Sequence, residues 1–177
     1  MELNKELLVD HSKSNTLRVA ALIGTDPGQF DQLVQLMVRG NDLIAPRSAW
    51  VFRVCVDSHP RLFSAQHVRT CIRRLGQPAC DAVKRNITAV LQTAKIPQSE
   101  EGIVVDHCFR LLNSRSEPTA VKTFSMTVLH RIAQKYPDLK PELADAIRNQ
   151  WPLASTGFRN RAAKILKALN QSPSVPN

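Results

Sequence analysis

Three basic residues recur at one position of a repeated helical pattern, which makes them the best candidates in this sequence for binding an anion. Lys84, Lys122 and Arg159 each lie seven residues before the last residue of that pattern. Equivalent positions of stacked repeats form a row along one surface, and a row of cations binds phosphate groups by releasing counterions. With Arg85 and Arg161, the spacing predicts a basic ridge near the helix starts. The alternative is that these cations pair with acids of the neighbouring helix or are simply solvated.

The repeated pattern consists of a small or flexible residue, any residue, a β-branched residue and a large apolar residue. It occurs at residues 49–52, 88–91, 126–129 and 163–166, in steps of 39, 38 and 37 residues. The position that matches Lys84 in the first occurrence is Ala45, so the predicted ridge is incomplete there. A period of about 40 residues that contains two helices is typical of helical repeat proteins.

Residue patterns for metal binding and catalysis are missing from the sequence. The histidines form no H-x-x-x-H or H-E-x-x-H pattern and the cysteines form no C-x-x-C, so we predict no metal site and no cofactor. Asp106, His107 and Cys108 are adjacent, and neighbours on a helix do not face one another. There is no G-x-S-x-G motif and no phosphate-binding glycine loop. We therefore predict a protein that is not an enzyme, with an enzyme of unrecognised type as a remaining alternative.

Composition favours an aliphatic, helical and soluble chain. Hydrophobic residues make up 43% of the 177 residues and aromatic residues only 5%. The first residues lack the apolar core of a signal peptide, and no stretch approaches the roughly 20 apolar residues of a membrane span. We therefore expect a cytoplasmic protein without a membrane partner. Its four cysteines lie in apolar helical patterns, which predicts reduced thiols in the core.

The net charge of +9 is unevenly distributed. Residues 39–95 carry ten lysines and arginines against three acidic residues, whereas residues 1–38 carry three against five. Such asymmetry is found in proteins that bind anionic partners. The alternative explanation is a basic surface that is simply solvated and binds no partner.

Helix start and stop signals divide the chain into about ten helices. The clearest helix begins after Pro118 and carries Val121, Phe124, Ser125, Val128 and Ile132 on one face, and it ends before Pro137. Asp26 before Pro27 predicts a capped helix start, and Pro78 predicts the start of the sixth helix. The predicted organisation is one domain over residues 1–170, with capping helices in 1–24, four helix pairs in 26–170 and a disordered tail in 171–177.

The chain resembles HEAT and armadillo helical repeat proteins over roughly residues 26–170. The resemblance rests on the helix-pair period and on the stretch PTAVKTFSMTVLHRIAQKYPDL, which is similar to the second half of a HEAT repeat with its closing proline. It implies an all-α superhelix of stacked antiparallel helix pairs, and a scaffold or adaptor function. One branch of these proteins, the alkylpurine DNA glycosylases, grips DNA with Trp and Asp in a basic groove. Trp50 and Trp151 lie in no such motif.

The leading functional prediction is a non-enzymatic scaffold that binds a protein or peptide on the surface of its second helices. The alternative is a nucleic-acid-binding protein, related to DNA repair, that uses the basic ridge of Lys84, Arg85, Lys122, Arg159 and Arg161. Trp50 is expected in the core, and Trp151 is expected either in the core or at a partner surface. The apolar segment LRVAALIG at residues 17–24 raises the alternative of a homo-oligomer formed through the N-terminal helices.

Overall fold

The computed structural model describes residues 2–170, and no strand occurs within them. They form ten α-helices: α1 (Leu3–Leu8), α2 (Lys13–Ile23), α3 (Pro27–Arg39), α4 (Ile44–Ser58), α5 (Ala65–Leu75), α6 (Asp81–Leu91), α7 (Glu101–Asn113), α8 (Thr119–Lys135), α9 (Leu139–Gln150) and α10 (Thr156–Asn170). The predicted all-α fold of about ten helices is confirmed. The predicted disordered tail lies outside the described residues.

The described chain divides into two compact units, unit 1 ending at Glu100 and unit 2 beginning at Glu101. Each unit is built around one central helix. In unit 1, α4 packs against α1, α2, α3 and α6, while in unit 2, α8 packs against α7, α9 and α10. Within residues 2–170, no helix is both long and apolar enough to cross a bilayer.

The core of unit 1 is centred on two phenylalanine rings from the pair α3 and α4. Phe30 and Phe52 are fully buried, and their rings stack with centroids 5.8 Å apart. Burying a ring of this size stabilises a fold by about 2–3 kcal/mol. Because α3 and α4 are joined by a short turn, this contact forms between residues that are close in sequence and fixes the two helices as a pair.

Capping side chains define where the helices of unit 1 begin. Asp26 Oδ1 accepts hydrogen bonds from the backbone N–H groups of Gly28 at 2.8 Å and Gln29 at 3.1 Å, which confirms the predicted start of α3. Ser12 caps α2 by accepting from the N–H of Asn15. Gly24 ends α2 with a φ of 52°, a conformation that L-residues with a side chain rarely adopt.

The predicted apolar face of α8 forms the core of unit 2. Val121, Ser125, Val128 and Ile132 are buried there, as the helical spacing indicated. Phe124 is only half-buried, so its predicted place on the buried face was wrong in part. The residue lies on the margin of the stripe and is therefore only partly covered.

The start of α6 differs from its prediction. The helix begins at Asp81 rather than at Pro78, because the Pro78 carbonyl accepts a 2.6 Å hydrogen bond from Arg74 Nη1 and is held in the preceding loop. Cys80 becomes the extended residue before the helix and is exposed. The prediction of four core thiols was therefore wrong for Cys80, while the other three cysteines are buried.

Candidate anion-binding surfaces

The two predicted ridge residues of unit 1 lie side by side on α6 in different surroundings. Lys84 has a side chain only 16% exposed, and its Nζ lies 3.0 Å from Asp81 Oδ1 one turn earlier. Arg85 is exposed. Lys84 thus pairs with an acid of its own helix, whereas the alternative stated from the sequence was a pair with an acid of the neighbouring helix. The pair leaves Arg85 as the more accessible cation of the two.

The three predicted ridge residues of unit 2 contact polar groups of neighbouring elements. Lys122 Nζ donates to Gln150 Oε1 at 2.8 Å. Arg159 Nη2 lies 3.3 and 3.4 Å from the carbonyl oxygens of Trp151 and Pro152, and Arg161 Nη1 lies 3.3 Å from the hydroxyl of Thr127 on α8. None of these three acceptors is a carboxylate, so these contacts do not neutralise the positive charges of the side chains.

Lys122 also lines an open groove of about 460 Å³ in unit 2. Arg115 and Glu117 line the same groove. Partial burial lowers the pKa of Lys122, and the Glu117 carboxylate opposes this effect. The groove is therefore mixed in charge.

A second, more strongly basic groove lies in unit 1, where the last turns of α3 and α5 meet. We call it the arginine groove; its volume is about 240 Å³, and it is lined by Gln35, Val38, Arg39, Thr70, Arg73, Arg74 and Gln77. Arg39 and Arg73 are exposed, and Arg74 is half-buried. Among the described residues, no acidic side chain lines the groove, so the side chains of three arginines border one small volume without a carboxylate in its walls.

Three acidic residues of neighbouring elements are engaged elsewhere in unit 1. Asp31, two turns before the end of α3, contacts His67. Asp81 pairs with Lys84, and Glu100 lies 3.5 Å from Arg69. Within residues 2–170, Arg39 forms no hydrogen bond and no ion pair. The positive charge of the arginine groove is thus not neutralised by these neighbours.

The sequence reasoning missed the arginine groove because it compared equivalent positions of the second helices only. The groove is built by two first helices, α3 and α5. The helix α5 carries three arginines and no acidic residue, a signal that was present in the sequence. Two of these arginines, Arg73 and Arg74, lie in the last turn of α5, where a cation also stabilises the helix by interacting with the partial negative charge of its end. The presence of arginines in the sequence therefore did not show whether they bind a ligand or stabilise the helix.

A cluster of Ser64, His67 and Asp31 joins the start of α5 to α3. The Ser64 N–H donates to His67 Nδ1 at 3.1 Å, the Ser64 hydroxyl lies 2.9 Å from the same nitrogen, and His67 Nε2 lies 2.6 Å from Asp31 Oδ1. Ser64 Oγ also accepts from the His67 N–H as the cap of α5. These residue types also form hydrolytic triads, but here Nδ1 and the Ser64 hydroxyl serve the helix cap. The cluster fastens the two helices that build the arginine groove.

The buried thiols are poor nucleophiles. Burial raises the pKa of Cys55 and of Cys108 to about 12 and raises the pKa of Cys71 as well. Thiols with such pKa values are protonated at neutral pH, and the reactive form of cysteine is the thiolate. Burial also lowers the pKa of His107, the residue adjacent to Cys108.

Exposed large apolar residues occur in the N-terminal helices and also further along the described chain, for example at Leu43 and Ile103. In the N-terminal helices, Leu17 and Leu22 of α2 are 47% and 52% exposed. Trp50 is half-buried and contacts the His11 ring edge-on at 5.8 Å, so its predicted core position is only partly realised. Trp151 is 37% exposed. The oligomer predicted through the N-terminal helices stays a prediction.

In each unit the central helix, α4 or α8, is the second helix of a pair, and helix pairs follow one another along the chain. This arrangement defines an all-α helical repeat protein. A family model described as a HEAT repeat domain matches residues 3–169, and the chain belongs to this family. The predicted resemblance is thereby confirmed. Neither a curated protein nor a solved structure matches the sequence.

Proposed function

We propose that this chain is a non-catalytic binding module that holds a protein partner through an acidic segment docked in the arginine groove. HEAT repeat domains are generally scaffolds that present extended surfaces to protein partners. The observation that carries the proposal is the meeting of Arg39, Arg73 and Arg74 in one groove whose walls hold no acidic side chain. This surface belongs to the first helices and differs from the second-helix surface that the sequence favoured.

Arginine suits this function better than lysine would. Its planar guanidinium presents several N–H donors in a fixed arrangement and forms paired hydrogen bonds with carboxylates. Arginine is also enriched among the residues that contribute most to the affinity of protein interfaces. A partner segment rich in aspartate or glutamate would supply the carboxylates that the groove itself lacks.

The proposal is tested by binding of a fluorescently labelled glutamate-rich peptide to three forms of the full chain. The groove variant is Arg39→Gln/Arg73→Gln, in which both changes fall on exposed residues. The control variant is Lys13→Gln/Lys95→Gln, which removes the same charge from exposed positions of unit 1 outside the groove. We expect the groove variant to bind about tenfold more weakly or worse, as the loss of two charge-assisted contacts predicts, and the control variant to bind like the unmodified chain.

Equal binding by the groove variant and the control variant would contradict the proposal. Labelled duplex DNA provides the comparison with the nucleic-acid alternative. A second variant, Lys84→Glu/Lys122→Glu/Arg159→Glu, changes the predicted basic ridge. If DNA binding survives in the groove variant but is lost in this ridge variant, nucleic-acid binding by the basic ridge replaces the function that we propose.

A further inference from the structure

We infer that the arginine groove takes a phosphate monoester, the phosphate group of a phosphorylated serine or threonine on the partner protein. This inference rests on the proposed function and specifies the chemistry of the partner segment. Arginine clusters are a recurrent means of recognising phosphorylated peptides.

The first argument is the balance of charge in the groove. Arg39, Arg73 and Arg74 bring three positive charges to a groove that has no acidic lining residue. A phosphate monoester carries about −1.5 to −2 charges near neutral pH, whereas a carboxylate carries only one. One phosphate group therefore neutralises more of this charge than a single aspartate or glutamate does, without requiring several acidic residues to enter the same small volume.

The second argument is the number of hydrogen-bond donors left available. Arg73 uses one Nη2 donor on the hydroxyl of Thr70 at 3.2 Å. Arg74 donates from Nη1 to the Pro78 carbonyl at 2.6 Å, and this bond holds its guanidinium in place. The Nε of Arg74 is buried and therefore does not count among the donors that a ligand can reach. Arg39 and Arg73 keep guanidinium donors that these bonds do not use, and the three oxygens of a phosphate group offer them more acceptors than a carboxylate does.

The third argument is the size and composition of the groove. A volume of about 240 Å³ accommodates a compact anion with part of its side chain. Gln35 and Gln77 add amide groups to the wall, and Val38 gives an apolar patch for the carbon atoms of the ligand. The lining residues include no aromatic side chain, and single-stranded nucleic acids are usually held by stacking their bases on aromatic rings. A phosphorylated peptide thus fits these walls better than a nucleic acid does.

The inference is tested with three labelled peptides of one neutral sequence that differ at the central residue, which is serine, glutamate or phosphoserine. Each is titrated into the full chain, the groove variant and the control variant, and inorganic phosphate and sulfate serve as competitors. We expect the phosphoserine peptide to bind about tenfold or more tightly than the glutamate peptide. This preference should disappear in the groove variant and persist in the control variant.

A second substitution separates phosphate recognition from simple attraction of charge. Arg39→Lys/Arg73→Lys keeps both positive charges but removes the paired guanidinium donors. We expect this variant to bind the glutamate-rich peptide more weakly than the unmodified chain but more tightly than the groove variant does, and to lose most of the preference for phosphoserine. Circular dichroism and thermal unfolding of each variant check that it is folded.

The outcomes for the inference and for the proposed function are distinct. If the chain binds the glutamate-rich peptide but shows no preference for phosphoserine, the phosphate inference is wrong and the proposed function stands. If the phosphoserine preference survives in the groove variant, the phosphate is bound elsewhere and the inference fails. If neither the phosphoserine peptide nor the glutamate-rich peptide binds, both proposals fail.

Discussion

Individual side chains in this protein act mainly by tying one helix to the next. The clearest case is Glu101, at the start of α7. Its carboxylate accepts hydrogen bonds from Lys135 Nζ at 2.9 and 3.2 Å and from the Tyr136 hydroxyl at 2.7 Å, both at the end of α8. These contacts, with the Lys135 hydrogen bond the largest, lower the pKa of Glu101, while its partial burial opposes them. One carboxylate therefore joins the start of α7 to the end of its partner helix.

The lowered pKa predicts how unit 2 responds to acid. Because the folded-state pKa of Glu101 is lower than the unfolded-state value of about 4.5, its contribution is fully present above that value. It is lost as the pH falls through the folded-state pKa. Glu101→Gln should reduce the free energy of unfolding at neutral pH by on the order of 1 kcal/mol and weaken its dependence on pH below about 4.5. Urea unfolding at neutral and acidic pH measures both effects.

Glu142→Gln is the matched control for this prediction. Glu142 is an exposed residue of the first turn of α9 and has no hydrogen bond or ion pair with any residue from 2 to 170. Its substitution should leave the free energy of unfolding at neutral pH, and the dependence of that free energy on acid pH, nearly unchanged. A Glu101→Gln chain with the same acid response as the unmodified chain would show that the hydrogen bonds to Lys135 and Tyr136 do not stabilise the fold.

At the scale of elements, the turns decide how closely paired helices approach. Gly40 ends α3, and a Cβ atom at this position would lie 2.3 Å from the Leu36 carbonyl oxygen and 2.9 Å from Ile44 Cγ2. The backbone of the turn between α3 and α4 leaves no space for a side chain. Gly102, in the first turn of α7, differs because a Cβ atom there would meet nothing within 4 Å.

These two glycines should respond to alanine substitution in opposite directions. Gly40→Ala should destabilise the protein by about 1–3 kcal/mol, the usual cost of crowding a packed site. Gly102→Ala should stabilise it by up to about 1 kcal/mol, because alanine is favoured over glycine in a helix. Thermal and chemical unfolding of the two variants gives the measurement. A Gly40→Ala protein as stable as the unmodified chain would mean that the turn between α3 and α4 relaxes at little cost.

At the scale of the whole molecule, the net charge of +9 and the arginine groove have separable effects on binding. Net charge acts at long range, so it mainly sets the association rate, and salt screens it. Contacts inside the groove act at short range and mainly set the dissociation rate. In the function that we propose, the charge of the chain attracts an acidic partner and the groove retains it.

This separation predicts different kinetics for the two charge-matched variants. Both lose two positive charges, so both should associate with the glutamate-rich peptide somewhat more slowly at low salt. Only the groove variant should also dissociate faster, by about tenfold if two charge-assisted contacts are lost. Stopped-flow measurements at two salt concentrations test this. Equal dissociation rates for the two variants would place the binding contacts outside the groove.

The sequence by itself determined the helices and their repetition. The 3.6-residue spacing along α8, the cap at Asp26 and the four-residue pattern in steps of 39, 38 and 37 are local signals, and each has a local physical cause. A helix pair cannot bury its apolar face alone, so the period also implied stacking. The family match over residues 3–169 agrees with that inference.

Only the tertiary structure decided which charged residues share a surface and which are paired. Arg39 and Arg73 are far apart in sequence and meet only because α3 packs beside α5. The hydrogen bond from Arg74 to Pro78 fixes the loop that leaves Cys80 exposed. Spacing along a chain specifies the face of a helix but not its neighbour. The charge environment of a side chain depends on that neighbour, because electrostatic interactions act between groups close in space.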